Sequence, residues 1–344
     1  MRATPDFVTD AHRKGGVHPT ARSAKRSGKG PRRAPEPRPG GKSIRDRQAR
    51  TGWLYTTPAL LVVAAVTIFP VVYSVVMSFT KVRLTHAGTQ VTDWTTANYT
   101  TMLGSSAWRE ALLFTVGYTL VTVAVELALG TAVAVLLERL EAGRGWLLAL
   151  LLIPWSLITV VSAQLWDYLY DATYGAVTWL FGLVLAEPPV ILGTPVPAIT
   201  GMAAADIWKT TPFVAVIVLA GLVRIPREQY EAAEMDGANA WTTFRRIVLP
   251  ALRPVVAVAV LFRVLQAFGI FDLPFVLTQG GPGTATQSLA ILGYRALFQD
   301  LNIGLGAAIA TSTGLLVVLG CLLFLRVFRS QVDSAAEAGE GGAA

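Results

Sequence analysis

The chain has 344 residues, 53% of them hydrophobic and 15% charged, with a mean hydropathy of +0.51. Soluble domains carry about 25% charged residues, so this composition excludes a soluble multidomain enzyme and points to the bilayer. The formal charge of +7 is mainly that of a tail, because 14 of the 29 Lys and Arg lie in residues 1–52, and nucleic acid is therefore not an expected partner. Cys321 is the single cysteine, and His12, His18 and His86 are the only histidines. They leave no basis for an intrachain disulfide, a cysteine or histidine metal cluster, or a Ser-His-Asp triad.

Residues 1–52 combine Pro, Gly, Ser and basic residues with few large apolar side chains, which predicts a disordered arm. The apolar run from Leu54 reaches Phe79, too long for the core of a cleaved secretory signal, so the arm should stay attached to a first span. Gly41-Lys42-Ser43 matches the end of a phosphate-binding loop, but the position of its first glycine holds Glu36, and the match is a decoy. Five more apolar runs follow at 111–137, 146–166, 197–223, 254–277 and 305–328, each long enough to cross a core of roughly 30 Å as a helix. The expected fold class is therefore all-α and polytopic, with six spans over 53–328 and a disordered tail at 329–344. Pro58, Pro70, Pro154, Pro212 and Pro274 are expected to bend or interrupt their helices.

Orientation follows from the cations. The arm, the 138–145 loop, the 224–253 segment and the C-terminal tail lie on one side and hold most of them, whereas the opposite side holds only Lys81, Arg83, Arg109 and Arg295. The enrichment of short cytoplasmic loops in Lys and Arg places both termini and the 224–253 segment in the cytoplasm.

That segment reads IPREQYEAAEMDGANAWTTFRRIVLPALRP, too polar for a span and too patterned for a linker. Pro226 suits a helix start, Glu228–Met235 favours helix, Gly237 can supply a left-handed turn, and Ala240–Val248 can form a second helix stopped by Pro250. Small Ala232, Ala233 and Gly237 would let another backbone approach, while Tyr230, Met235, Trp241 and Phe244 would supply apolar contacts to a soluble partner. Glu231, Ala232, Ala233, Gly237, Ile247, Leu249 and Pro250 stand at the spacing EAA, three residues, Gly, nine residues, Ile, one residue, Leu-Pro. This run resembles the EAA loop of permease subunits of bacterial binding-protein-dependent ABC importers. The resemblance implies a coupling helix, with Asp236 beside its glycine, seated in a cleft of an ATP-hydrolysing partner. DIWKTTPF at 206–213 and FDLPFVLTQGGPGTATQ at 271–287 are similar to carbohydrate-importer permeases of the maltose and trehalose type.

Glu126, Asp206, Lys209, Arg263 and Asp272 fall at span depth, where a charge is costly and usually faces a cavity or a partner. Asp206 and Lys209, three apart, can neutralise each other or contact substrate, and neighbouring Trp208 and Phe213 offer aromatic platforms for a sugar. Arg263, Gln266 and Ile270 share a face of span five, directed at a cavity or at a salt bridge with Asp206 or Asp272. By resemblance, sugar contacts fall near Trp155 and Thr159, near Asp206, Lys209, Thr210 and Phe213, and near Arg263, Ala267 and Ile270. Thr115, Thr119, Thr122 and Glu126, at helical spacing, read as a packing face of span two.

The expectation is a permease subunit, itself no enzyme and without a bound cofactor, that imports a sugar such as trehalose or maltose by alternating access. ATP and Mg would be bound by two separate ATPase subunits. The resemblance also implies a second permease, an extracytoplasmic sugar-binding lipoprotein and a bacterial plasma-membrane location, with lipid around the spans. The competing class is an ion-coupled secondary transporter or channel using the intramembrane carboxylates; a membrane hydrolase lacks a nucleophile-base set.

Overall fold

The computed structural model describes residues 44–85, 88–140 and 142–340, in two compact units of which one ends at Leu61 and the other runs from Val62. Helix α1 (Ile44–Ser78) is followed by an antiparallel hairpin of β1 (Thr80–Thr85) and β2 (Gly88–Trp94), then α2 (Ala97–Gly104) and α3 (Ser106–Glu138). Next come α4 (Arg144–Ser156), α5 (Thr159–Tyr170), α6 (Ala176–Gly182), α7 (Pro195–Leu222), α8 (Arg227–Met235) and α9 (Ala240–Thr243). The chain ends with α10 (Leu249–Phe268), α11 (Asp272–Leu277), α12 (Leu289–Tyr294) and α13 (Ile303–Glu340). Among the described residues, five helical segments are long and apolar enough to cross a membrane, and the bent pair α4 and α5 makes the sixth.

Several boundaries differ from the sequence expectation. Helix α1 opens at Ile44, inside the stretch read as the disordered arm, and α13 continues to Glu340, through most of the stretch read as a tail. Residues 1–43 of the expected arm lie outside the described residues. The third apolar run is two helices meeting at 89°, because Leu157 and Ile158 are both extended just after Pro154. Pro58, Pro70 and Pro212, by contrast, sit inside helices that continue past them. Pro250 does not stop a helix either: it lies in the first turn of α10, where a missing N–H costs little. A single π turn at Phe244–Val248 precedes it, with Leu249 N–H donating to the Phe244 carbonyl, so α9 runs on into α10.

The hairpin interrupts an otherwise helical chain. Its strands pair from Thr80 opposite Trp94 to Thr85 opposite Gly88, with a register irregularity between Lys81 and Val82. Its base is tied to α2 through Asn98, whose amide donates to the carbonyls of Ser78 at 2.8 Å and Thr80 at 3.0 Å.

Helix α3, 33 residues and roughly 50 Å long at 1.5 Å per residue, is the axis of the second unit. Near one end Met102, Ala296, Ala308 and Ile309 form a small buried cluster; midway Tyr118, Ala163, Met202, Ala205, Leu273 and Leu277 form another. Toward the other end Ala134 and Leu137 pack with Val214, Val218, Leu219 and Leu222 of α7 and with Val248 and Leu252. Among apolar helices in lipid, close backbone approach replaces the hydrophobic drive, and small residues permit it. Gly130 of α3 is such a point, since a Cβ there would lie 2.8 Å from the Val214 Cβ and 3.1 Å from the Ala215 nitrogen.

Gly130→Val should therefore push α3 off α7. The cost of overpacking, about 1–3 kcal/mol, should appear as a lower melting temperature of the detergent-purified chain. An unchanged melting temperature would contradict this packing.

Candidate functional site

Beside the crossing of α3, α7 and α10, midway along the unit, the chain forms a half-open cavity of about 370 Å³. Its walls include Trp155 from the end of α4 and Thr159 from the start of α5, Asp206, Lys209 and Thr210 from α7, and Arg263, Gln266 and Ala267 from α10. Ile270, Phe271 and Asp272 close it where α10 ends at Gly269 and the chain turns into α11.

Arg263 is 2% exposed and Glu126 is fully buried, so the guanidinium needs partners of opposite charge in place of water. It donates Nε–H to Glu126 Oε2 at 2.5 Å and Nη2–H to Glu126 Oε1 at 2.7 Å, a two-pronged pair. Its Nη2 also donates to Asp206 Oδ2 at 3.4 Å, and Nη1 donates to the Gln266 amide oxygen at 2.9 Å. The Thr210 hydroxyl donates to Glu126 Oε1 at 2.6 Å, and the Tyr118 hydroxyl to Asp206 Oδ2 at 3.3 Å. Three helices are thus joined through charges that would each be costly alone.

Of the eleven residues predicted along a sugar path, nine line this cavity: Trp155, Thr159, Asp206, Lys209, Thr210, Arg263, Gln266, Ala267 and Ile270. Trp208 and Phe213 do not. Trp208 is two residues from both Asp206 and Thr210, about 200° around the helix from each, and meets Trp166 edge-on at 5.6 Å. Phe213 lies behind the wall, stacked at 5.6 Å on Trp155 with 16° between the rings, so it backs the exposed indole. Asp206 and Lys209 do not form an ion pair within 4 Å, and Arg263 pairs with Asp206 but not with Asp272. The missed partner is Glu126. Its spacing from Thr115, Thr119 and Thr122 marks the buried face of α3, and all four are buried, yet nothing local in the sequence tells which cation crosses to meet it. Among the described residues no group of three His, Cys, Asp or Glu is placed to hold a metal ion.

The 224–253 segment forms a second site at the far end of α3. Helix α8 ends in a motif that satisfies its last carbonyls: Ala238 N–H donates to the Ala233 carbonyl at 2.9 Å and Gly237 N–H to that of Glu234 at 3.0 Å. This closure needs a left-handed residue after Asp236, and Gly237 has φ of +73°. Asn239 then caps α9, its side-chain oxygen accepting from Thr242 N–H at 2.8 Å, a signal the sequence carried unnoticed. The helix pair has two faces. Ala233 is buried, and half-buried Tyr230 and Phe244 pack on the cluster around Leu222 and Leu252, which seats the pair on the chain's own fold. Burial beside the Glu138 carboxylate pushes the Tyr230 phenol up, which keeps it neutral. Glu231, Ala232, Asp236 and Leu249 are exposed, with Met235 at 88% and Trp241 at 68%; Ile247 and Pro250 are half-buried.

Residues 55–334 match the family described as the inner membrane component of binding-protein-dependent transport systems, and the chain belongs to that family. It is 36% identical over 294 residues to the trehalose/maltose transport system permease protein MalF of Thermococcus litoralis, covering 84% of this chain and 97% of that protein. It is 34% identical over 299 residues to the trehalose transport system permease protein SugA of Mycobacterium tuberculosis, covering 85% and 92%. A crystal structure of a bacterial ABC transporter that imports the acidic polysaccharide alginate superposes with a TM-score of 0.72 at 17% identity, over 84% of this chain and 99% of that one, which establishes the shared fold. The protein is a transport permease of the inner membrane, and the ion-coupled secondary transporter reading is set aside. Physically, that alternative needs carboxylates free to exchange ions, whereas Glu126 and Asp206 are both engaged by Arg263.

Removing the cation leaves Glu126 buried without compensation, so Arg263→Met should destabilise the chain by about 3–5 kcal/mol. Lys209→Met, which breaks no ion pair, should lower the melting temperature far less. Equal losses for the two variants would contradict the ion-pair geometry.

Proposed function

We propose that this chain is the sugar-conducting permease subunit of an ABC importer for a disaccharide of the trehalose or maltose kind. The observation that carries the proposal is the cavity, where one exposed indole backed by Phe213 faces a ring of hydroxyl, amide and paired ionic groups. A saccharide presents the same pair of surfaces, an apolar ring face and a rim of hydroxyls that both donate and accept. The named substrates of the two relatives agree with that chemistry.

In this reading the 224–253 segment couples the spans to ATP hydrolysis on two separate subunits, with Met235 and Trp241 as the apolar contacts on its outward face. A second permease would complete the path, and an extracytoplasmic binding protein would deliver the sugar and set most of its selectivity. The chain holds no ATP or Mg itself in this scheme. Both termini and α8 face the cytoplasm, as the distribution of Lys and Arg requires. Sugar translocation then requires the α3, α7 and α10 crossing to open alternately toward either end, driven by displacement of α8 against the cluster beneath it.

Two outcomes test this. Single cysteines at Ala240 and Thr284, both exposed, in a Cys321→Ser chain should label from the inside and the outside respectively; external labelling at Ala240 would invert the topology. Gly237→Val forces a β-branched residue into the left-handed region at a cost of roughly 1–2 kcal/mol, although no neighbour lies within 4 Å of its Cβ position. The damage should therefore be local to α8. The variant should insert and keep its melting temperature, while uptake of radiolabelled trehalose and copurification of the ATPase subunits fall several-fold; wild-type values of both would remove α8 from the coupling step.

A further inference from the structure

Glu126 does not line the cavity, yet it holds two residues that do. Its carboxylate accepts from two edges of the Arg263 guanidinium and from the Thr210 hydroxyl, and both of those residues are part of the wall. We infer that Glu126 is a positioning residue for translocation: by its two-pronged bond it fixes the direction of the Arg263 guanidinium and cancels its charge, so the cavity offers a directed donor to an uncharged saccharide instead of a free cation. This inference rests on the sugar-path reading and adds the residue that sets the polarity of the path.

The geometry supports both halves. A guanidinium has five N–H donors in a rigid fork, and Glu126 takes Nε and one prong of Nη2. Nη1 is left to reach Gln266, itself in the wall, and the rest of Nη2 leans to Asp206 at 3.4 Å. Rotation of the fork would cost the pair with Glu126, so the edge turned to the cavity is fixed. As for charge, Arg263 and Glu126 cancel, and the remaining ionic groups of the wall, Lys209 with Asp206 and Asp272, add one excess carboxylate. With a neutral residue at position 126 the formal charge of these groups rises by one and the guanidinium loses its two-pronged partner, so an anion would be less opposed relative to a neutral polyol.

A charge-sensitive reporter reads this without any sugar. In the full chain, assembled with its ATPase partners, Cys321→Ser with Thr159→Cys places one thiol on the cavity wall outside the ion network. The ratio of its reaction rates with an anionic and a neutral methanethiosulfonate should rise on the order of tenfold when Glu126→Gln is added. An unchanged ratio overturns the inference, whatever uptake does. Uptake of radiolabelled trehalose supplies the second arm. Glu126→Asp, which keeps the charge but shortens the reach, should assemble and raise KM several-fold more than it lowers the maximal rate. The Glu126→Gln with Arg263→Met double variant, which leaves only Asp206 without its arginine, should regain part of the stability that Arg263→Met loses, without regaining transport. Wild-type uptake by the double variant would mean that the pair is only structural and would overturn the inference. Trp155→Ala, on the opposite wall, separates this failure from that of the sugar path: wild-type KM there removes the path itself, whereas a raised KM there with a normal KM for Glu126→Asp removes only the positioning role.

Discussion

An arginine in the middle of a membrane protein is tolerable only if its charge is met within the fold, and here that need organises the central crossing. Arg263 on α10 reaches across to Glu126 on α3 and Asp206 on α7, and none of the three could be buried without the others. The close approach of α3 and α7 at Gly130 brings the carboxylates within reach, and Tyr118 and Thr210 supply the hydroxyl donors that complete them. The cavity exists beside this network because paired charges fix the helices at a distance that bulky apolar side chains would otherwise close. Its walls are consequently polar on the α7 and α10 side and aromatic on the side of Trp155.

The same α3 helix connects this crossing to the outward-facing helix pair α8 and α9. From Glu126 to Glu138 is a little over three turns, and over that length α3 shares its packing with α7 through Ala134, Leu137, Val214 and Val218. Ala233, Tyr230 and Phe244 seat the pair on that cluster, so a displacement of α8 is passed into packed side chains instead of a loose loop. A tight glycine-closed end on α8 and an asparagine cap on α9 make the connection stiff, as the proposed coupling role would require.

Features that depend on local pattern were legible in the sequence. Apolar runs marked the spans, Gly237 marked the left-handed turn, and the polar, patterned stretch from Glu231 to Pro250 marked a helix pair distinct from the spans. Features that depend on which helix meets which were not. Sequence alone points Arg263 at Asp206 or Asp272, and Asp206 is indeed a partner, but the two-pronged partner is Glu126, because periodicity places a residue on a face without naming what lies opposite. Proline was an equally poor guide. Pro58, Pro70 and Pro212 are carried within continuous helices, Pro250 begins one, and Pro154 and Pro274 stand beside breaks, since neighbouring helices decide whether the freed carbonyl finds another donor. The hairpin at Thr80–Trp94 escaped notice because its alternation is short, with Val82 and Leu84 in one strand and Val91 opposite Val82, next to a far longer apolar run.

The central claim is that a saccharide passes through this chain by energy drawn from ATP hydrolysed on other subunits. It is tested most directly in proteoliposomes holding the chain with its second permease and ATPase subunits, with binding protein and radiolabelled trehalose on one side and ATP on the other. Accumulation is predicted only when ATP, ATPase subunits and binding protein are all present, with no ion gradient imposed. Accumulation by the permease without ATPase subunits, driven by a proton or sodium gradient, would contradict the account.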